Sequence, residues 1–226
     1  MSETFYKTIR LVGSTVFRVA SRPLILHRER AARPGAYLLA ANHASPFDSA
    51  LLIAATPRVI YWLSIVELFR NPFTRWFLSS MLAAPLDRSR ADTATVRSIV
   101  RHLRAGRVVG LFPEGGVRAD NESVLRDGAI KDGIAKLAEV ARVPVLPCVV
   151  AGGEKFHRWT SWLPLFRTRW AVAFGEPIEM RRDGDREAAR AELLATLTGA
   201  LRGLRSEIEA NSKFQIPNSK QSGGSD

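Results

Sequence analysis

The chain has 226 residues, 46% of them hydrophobic, enough for a single domain with a substantial core. Its net charge of +11, from 33 basic and 22 acidic residues, points to an anionic partner: nucleic acid, a membrane surface or a phosphorylated molecule. A single cysteine excludes a disulfide framework and a thiolate metal site, and no apolar run approaches the ~18 residues of a membrane-spanning helix.

The first element expected is an amphipathic helix from residue 3 to about residue 20. Phe5, Ile9, Val12, Val16 and Val19 recur at helical spacing, and Lys7, Arg10, Arg18 and Arg22 supply positive charge. Such a helix suits two roles equally, packing on the core with a basic edge or lying on anionic lipid. Residues 1–33 are read as one basic helical leader. With no apolar core or small-residue cleavage site of a signal peptide, the reading is a peripheral protein on the cytoplasmic face of a membrane.

An α/β rhythm follows. "AYLLAA" (36–41) is a short buried strand, Pro46 to about Ala55 a helix, and "RVIYWLS" (58–64) the next strand. "VELFRNPFTRWFLSSMLAAPLDR" reads as two helical pieces broken at Asn71-Pro72. Asp92 is a cap for a helix ending before Gly106, and "RVVGLF" (107–112) is a strand. A helix over 128–141, strands over 143–150 and 169–174, and a long helix from about Asp185 to Ala210 complete the pattern. Cys148 suits a small buried strand position. Alternating strands and helices predict one α/β domain over 34–210, with a mainly parallel or mixed sheet flanked by helices. The polar, turn-rich residues 211–226 read as a disordered tail.

Within this frame "NHASPFD" places His43 and Asp48 five residues apart. A straight helix would turn their side chains about 140° from one another, out of contact. Ser45-Pro46-Phe47-Asp48, however, has the composition of a capped helix start: serine as N-cap, proline at the first helical position and an acid three residues after the cap. His43 then lies in the preceding turn and can fold back over the helix end towards Asp48. Further on, "LFPEGG" (111–116) follows a strand directly, where open α/β sheets bind ligands, and Glu114 is expected to project into that crevice. "PLDRSR" adds Arg88 after a hydrophobic segment.

"NHASPFD", "LDR", "FPEGG" and "VPVLPCVVAG", in this order, resemble the four motif blocks of the glycerolipid acyltransferases. The match is best with the 1-acylglycerol-3-phosphate (lysophosphatidate) acyltransferase family, over roughly residues 36–155. The resemblance implies acyl transfer from acyl-CoA or acyl-carrier protein to the free hydroxyl of a lysophospholipid at a membrane surface, without metal or cofactor. It implies catalytic roles for His43, as general base, and for Asp48, which orients the imidazole and supports its charged form. It assigns acceptor binding to Arg88, Glu114, Gly115, Gly116 and Arg118. The chain departs from the family pattern at three points. Ile65 and Val66 precede Glu67 where a lysine is usual, Ala83 replaces a glycine, and the third block continues Gly116-Val117-Arg118 with its arginine moved by one place. These changes leave open an acceptor other than lysophosphatidate, such as the lyso-form of an amino- or glycolipid.

The competing readings are weaker. No nucleic-acid-binding motif accompanies the charge, so nucleic acid is not an expected partner. No G-x-S-x-G elbow, P-loop or dinucleotide fingerprint is present, and neither Ser45 nor Cys148 has a nucleophile context. A non-catalytic basic protein that binds membrane surfaces is the remaining alternative. Trp62, Trp76 and "FHRWTSWLPLF" (156–166) offer aromatic side chains to an interface, although core packing is their more ordinary role.

Overall fold

A computed structural model describes residues 3–80, 82–86, 93–118, 120–162 and 168–211. Their elements run in the order α1 (Glu3–Ala20), β1 (Ser21–Leu26), α2 (Arg28–Ala31), β2 (Tyr37–Ala41), α3 (Asp48–Ala55), β3 (Ile60–Ile65) and α4 (Pro72–Ser80). Next come β4 (Ala83–Leu86), α5 (Thr93–Arg104), β5 (Val108–Leu111), α6 (Gly133–Ala141), β6 (Val145–Ala151), β7 (Thr168–Phe174) and α7 (Arg186–Ala210). Among the described residues the sheet has seven strands in the order β1-β7-β6-β2-β5-β3-β4. Every pairing is parallel except β6 with β7, so the sheet is mixed.

The central strand β2 is buried along its whole length, and its period-2 alternation divides the core in two. Leu38 and Ala40 face a cluster completed by Ile99 and Leu103 of α5, Ile134 and Ala138 of α6, and the Leu193, Leu197, Leu201, Leu204 and Ile208 stripe of α7. Tyr37, Leu39 and Ala41 face the second cluster, with Tyr6 of α1, Leu51 and Leu52 of α3, Trp62, Cys148 and Trp170. Asp185 caps α7, its carboxylate accepting the Glu187 N–H at 3.0 Å. Cys148 is fully buried, and burial raises its thiol pKa.

Two strands correct the expectations from sequence. Residues 21–26, grouped with the helical leader, form an edge strand parallel to β7, tied to it by Trp170 Nε1 donating to Ser21 Oγ at 2.7 Å. Residues 83–86, read as the end of a helix, form the opposite edge strand, parallel to β3. Pro23 and Pro85 lie in these strands. A proline cannot donate to a ladder, yet the interior strand β6 also carries one, Pro147, so proline by itself did not hide these strands. Each is a short run that continues a helical pattern along the chain, and its pairing shows only in the assembled sheet.

Helix α1 packs through Tyr6, which is fully buried, while Arg10 Nη1 donates to Pro57 O at 3.0 Å. Leu11, Val12 and Val19 are exposed. The side chains of Phe5, Ile9, Val16 and Arg18 fall outside those described, as do Arg88, Asp92 and the tail 212–226. Trp62 is core, against the interfacial role considered for it, whereas Trp76 is 54% exposed. Among the described residues no helix is long and apolar enough to cross a membrane.

Candidate active site

His43 lies two residues past the end of β2 and Glu114 three past the end of β5, so both emerge at the carboxyl edge of adjacent parallel strands. Asn42 anchors the exit from β2. Its side chain forms a two-way bridge to the Val150 backbone, Nδ2 donating to O at 3.0 Å and Oδ1 accepting from N at 2.8 Å. This role of Asn42 was missed in the sequence, because its partner is 108 residues away.

Beyond Asn42 the chain wraps around the Asp48 carboxylate. Asp48 Oδ2 accepts the N–H of Ala44 at 2.8 Å and of Ser45 at 2.7 Å, and His43 Nδ1 lies 3.2 Å from the same oxygen. Ser45 Oγ accepts the Phe47 N–H at 3.2 Å, the serine half of the capping arrangement. The regular helix begins at Asp48, later than the expected Pro46, because residues 45–47 are used in the cap. Since this oxygen acts as an acceptor throughout, the Nδ1 side of the ring is the donor in this contact, and Nε2 is the nitrogen turned away from Asp48. Asp48 is 1% exposed and the His43 side chain 16% exposed, so one is enclosed and the other reaches solvent. Gly153 borders the carboxylate so closely that a Cβ there would collide with Asp48 Oδ1.

An aromatic stack fixes the imidazole from the side. Phe112 lies on His43 with centroids 3.9 Å apart and planes 10° apart, and Trp62 lies against Phe112 at 5.3 Å. Gly110 makes room for this, since a Cβ there would come within 2.6 Å of Ile60 Cγ2 and 2.9 Å of the Trp62 ring.

Glu114 does not project into the crevice as expected. It is 3% exposed, and its oxygens are taken by three donors: the His43 N–H at 2.8 Å, Ser123 Oγ at 3.0 Å and the Val124 N–H at 2.7 Å. Burial raises its pKa, and those hydrogen bonds oppose the shift. The carboxylate thus clamps the loop that carries the imidazole. Gly115, at φ 79°, closes the turn by donating its N–H to Phe112 O at 3.0 Å. The Arg118 N–H donates to His43 O at 2.7 Å, while its guanidinium pairs with Glu122 at 2.9 Å and stays 42% exposed. Gly116 has open space around it. Lys131, another residue missed in the sequence, donates its N–H to Pro113 O, and its side chain lies over Gly115. The expected helix start at 128 is delayed to Gly133, because 123–131 form the loop that holds Glu114.

The model of the Acyltransferase family matches residues 24–151, which include all of these groups except Gly153. The chain belongs to the Acyltransferase family. It is an O-acyltransferase resembling the lysophosphatidate enzymes. The 1-acyl-sn-glycerol-3-phosphate acyltransferase of Bacillus subtilis is 25% identical over 187 residues, 82% of this chain and 87% of that protein. Glycerol-3-phosphate O-acyltransferase 2 of Saccharomyces cerevisiae is 36% identical over 124 residues, 49% of this chain and 15% of the yeast protein. In fold, this acyltransferase matches the crystal structure of the 1-acyl-sn-glycerophosphate acyltransferase PlsC from Thermotoga maritima. The TM-score is 0.67 at 20% identity, over 89% of this chain and 79% of that one.

Proposed function

We propose that the enzyme moves a fatty acyl group from an acyl-CoA or acyl-carrier-protein thioester to the free hydroxyl of a lysophospholipid. The acceptor is 1-acylglycerol-3-phosphate and the product phosphatidate. The observation that carries this reading is the His43–Asp48 contact at 3.2 Å, which leaves Nε2 as the accessible base. A hydroxyl is a weak nucleophile, and an imidazole is suited to take its proton near neutral pH. As the acceptor oxygen bonds to the thioester carbonyl carbon, Nε2 takes the hydroxyl proton. The tetrahedral intermediate then expels the thiolate as the C–S bond breaks, and the imidazolium returns the proton to sulfur. Asp48 stabilises the imidazolium between these steps.

Acceptor binding falls to Arg88, by family resemblance, and to the Gly115–Gly116 turn with the guanidinium of Arg118. The ammonium of Lys131 over this turn adds a second cation for a phosphate. Glu114 acts on the acceptor indirectly, through the turn and His43. The B. subtilis relative supports the phosphate-bearing acceptor, and the amphiphilic substrates support a peripheral position on the cytoplasmic face of the membrane, aided by the exposed apolar residues of α1.

The test is to incubate the purified protein with labelled acyl-CoA or acyl-carrier protein and a panel of lysolipids with and without a terminal phosphate monoester. Labelled phosphatidate from lysophosphatidate is the expected product. Turnover confined to an amino- or glycolipid acceptor would reject the acceptor assignment.

A further inference from the structure

Helix α4 leaves the carboxyl end of β3 and leads back to β4, which is parallel to β3. Its first turns therefore stand at the same sheet edge as His43. Asn71 caps it, Oδ1 accepting the N–H of Phe73 at 2.9 Å and of Thr74 at 3.3 Å. On this capped helix Phe73 is 72% exposed and Trp76 54% exposed, three residues apart and with ring centroids 6.3 Å apart. Single exposed apolar residues are ordinary, but two large aromatic rings side by side on solvent are not.

Two further exposed apolar side chains share this edge. Val117 follows the Gly115–Gly116 turn. Val19 ends α1 just before β1, whose start lies at the carboxyl end of β6 because β1 is parallel to β7 and β7 antiparallel to β6. Exposed arginines lie on the same edge: Arg70 precedes the aromatic pair and Arg75 falls between its two members, Arg22 is the second residue of β1 and Arg158 follows β6. Glu67 is the one acid in the segment 66–80. Exposed aromatic rings with two arginines in the same segment match the chemistry of the boundary between an anionic headgroup layer and acyl chains, where tryptophan is favoured.

We infer that Phe73 and Trp76 of α4 insert into an anionic lipid surface and so turn the His43 edge of the sheet towards the bilayer. The inference rests on the proposed lipid acceptor and adds α4 as a docking element beside the exposed end of α1. Seating α4 brings the carboxyl ends of β2 and β5 down to the lipid, so an acceptor hydroxyl reaches Nε2 without leaving the headgroup layer.

The experiment uses the full chain and vesicles of phosphatidylcholine, with or without phosphatidylglycerol. The double variant Phe73→Ser/Trp76→Ser should lower partitioning onto anionic vesicles by about tenfold or more. Its thermal unfolding and its turnover of a short-chain soluble acceptor should match wild type. Turnover of a long-chain acceptor embedded in vesicles should fall with the partitioning. Arg70→Gln/Arg75→Gln should weaken binding to anionic vesicles only. Wild-type partitioning by the Phe73/Trp76 variant would overturn the inference. So would a wild-type dimer that this variant converts to monomer without loss of vesicle binding, since a second copy would then cover the face. Absence of turnover with every acceptor would reject the catalytic reading instead, and the vesicle measurement would still decide the docking face.

Discussion

The Glu114 carboxylate accepts the backbone N–H of His43 at 2.8 Å, so a buried acid on one strand end holds the main chain of the proposed base on the next. Its other oxygen takes Ser123 Oγ and the Val124 N–H, which makes Glu114 the joint between three loops. Every one of these contacts requires an acceptor.

Glu114→Gln therefore turns an amide NH2 against at least one of these donors. An unpaired buried donor costs about 1–3 kcal/mol. Thermal unfolding should show that loss, and kcat should fall by about tenfold or more as His43 shifts, with a smaller change in donor KM. Wild-type kcat in a clearly destabilised variant would mean that the clamp serves folding alone.

His43→Ala should reduce turnover by roughly 10²–10⁴-fold with the fold intact, because the side chain stands in a loop. Asp48→Asn should lose activity because a neutral amide no longer supports the imidazolium, while its oxygen can still accept the Ala44 and Ser45 N–H groups and stability should fall less than activity. Calorimetry beside steady-state kinetics separates the two effects. A His43→Ala enzyme retaining a tenth of wild-type turnover would remove His43 from the mechanism.

Gly153→Ala tests the same carboxylate from the opposite side. A methyl group there must displace Asp48 Oδ1, and the imidazole moves with its partner. A displacement of this kind costs on the order of 10²-fold in turnover. Gly203→Ala in α7 is the control, since nothing stands near its Cβ and it lies outside the site, and it should leave turnover unchanged. Equal turnover in Gly153→Ala and wild type would show that the Asp48 position is not critical.

His102 gives a pH dependence unrelated to the site. Burial, and then the charges of Arg107 and Arg101, lower its pKa from 6.5, and Arg107 Nη1 lies 3.0 Å from its Nδ1. Folding thus disfavours the protonated ring. The stability that neutral His102 contributes is present above pH 6.5 and is lost as pH falls through the lowered folded-state value. Urea unfolding at about pH 8 and about pH 5 should show a smaller acid loss in His102→Gln than in wild type. An identical loss would assign the acid sensitivity to other groups.

How much of this was legible in the chain follows from the sequence distance over which each feature is decided. His43 reaches Asp48 across five residues, a span set by the turn chemistry of Ser45, Pro46 and the carboxylate, so the local sequence allows the contact and the family resemblance singles the pair out. The α7 stripe and the buried alternation of β2 are likewise periodic and local. The edge strands β1 and β4 were hidden because each is a short run continuing a helical pattern, and their pairing partners β7 and β3 are set by the order of the sheet. The burial of Glu114 depends on Ser123 and Val124 closing over it, and on β5 lying next to β2, 71 residues from Glu114 back to His43. The contact of Gly153 with Asp48, the Phe112 and Trp62 stack, and Lys131 over Gly115 have no local signature at all. Local turn chemistry brings together the pair to which the family resemblance assigns the proposed chemistry. Only strand order and packing decide what holds that pair still, because those neighbours meet through space rather than along the chain.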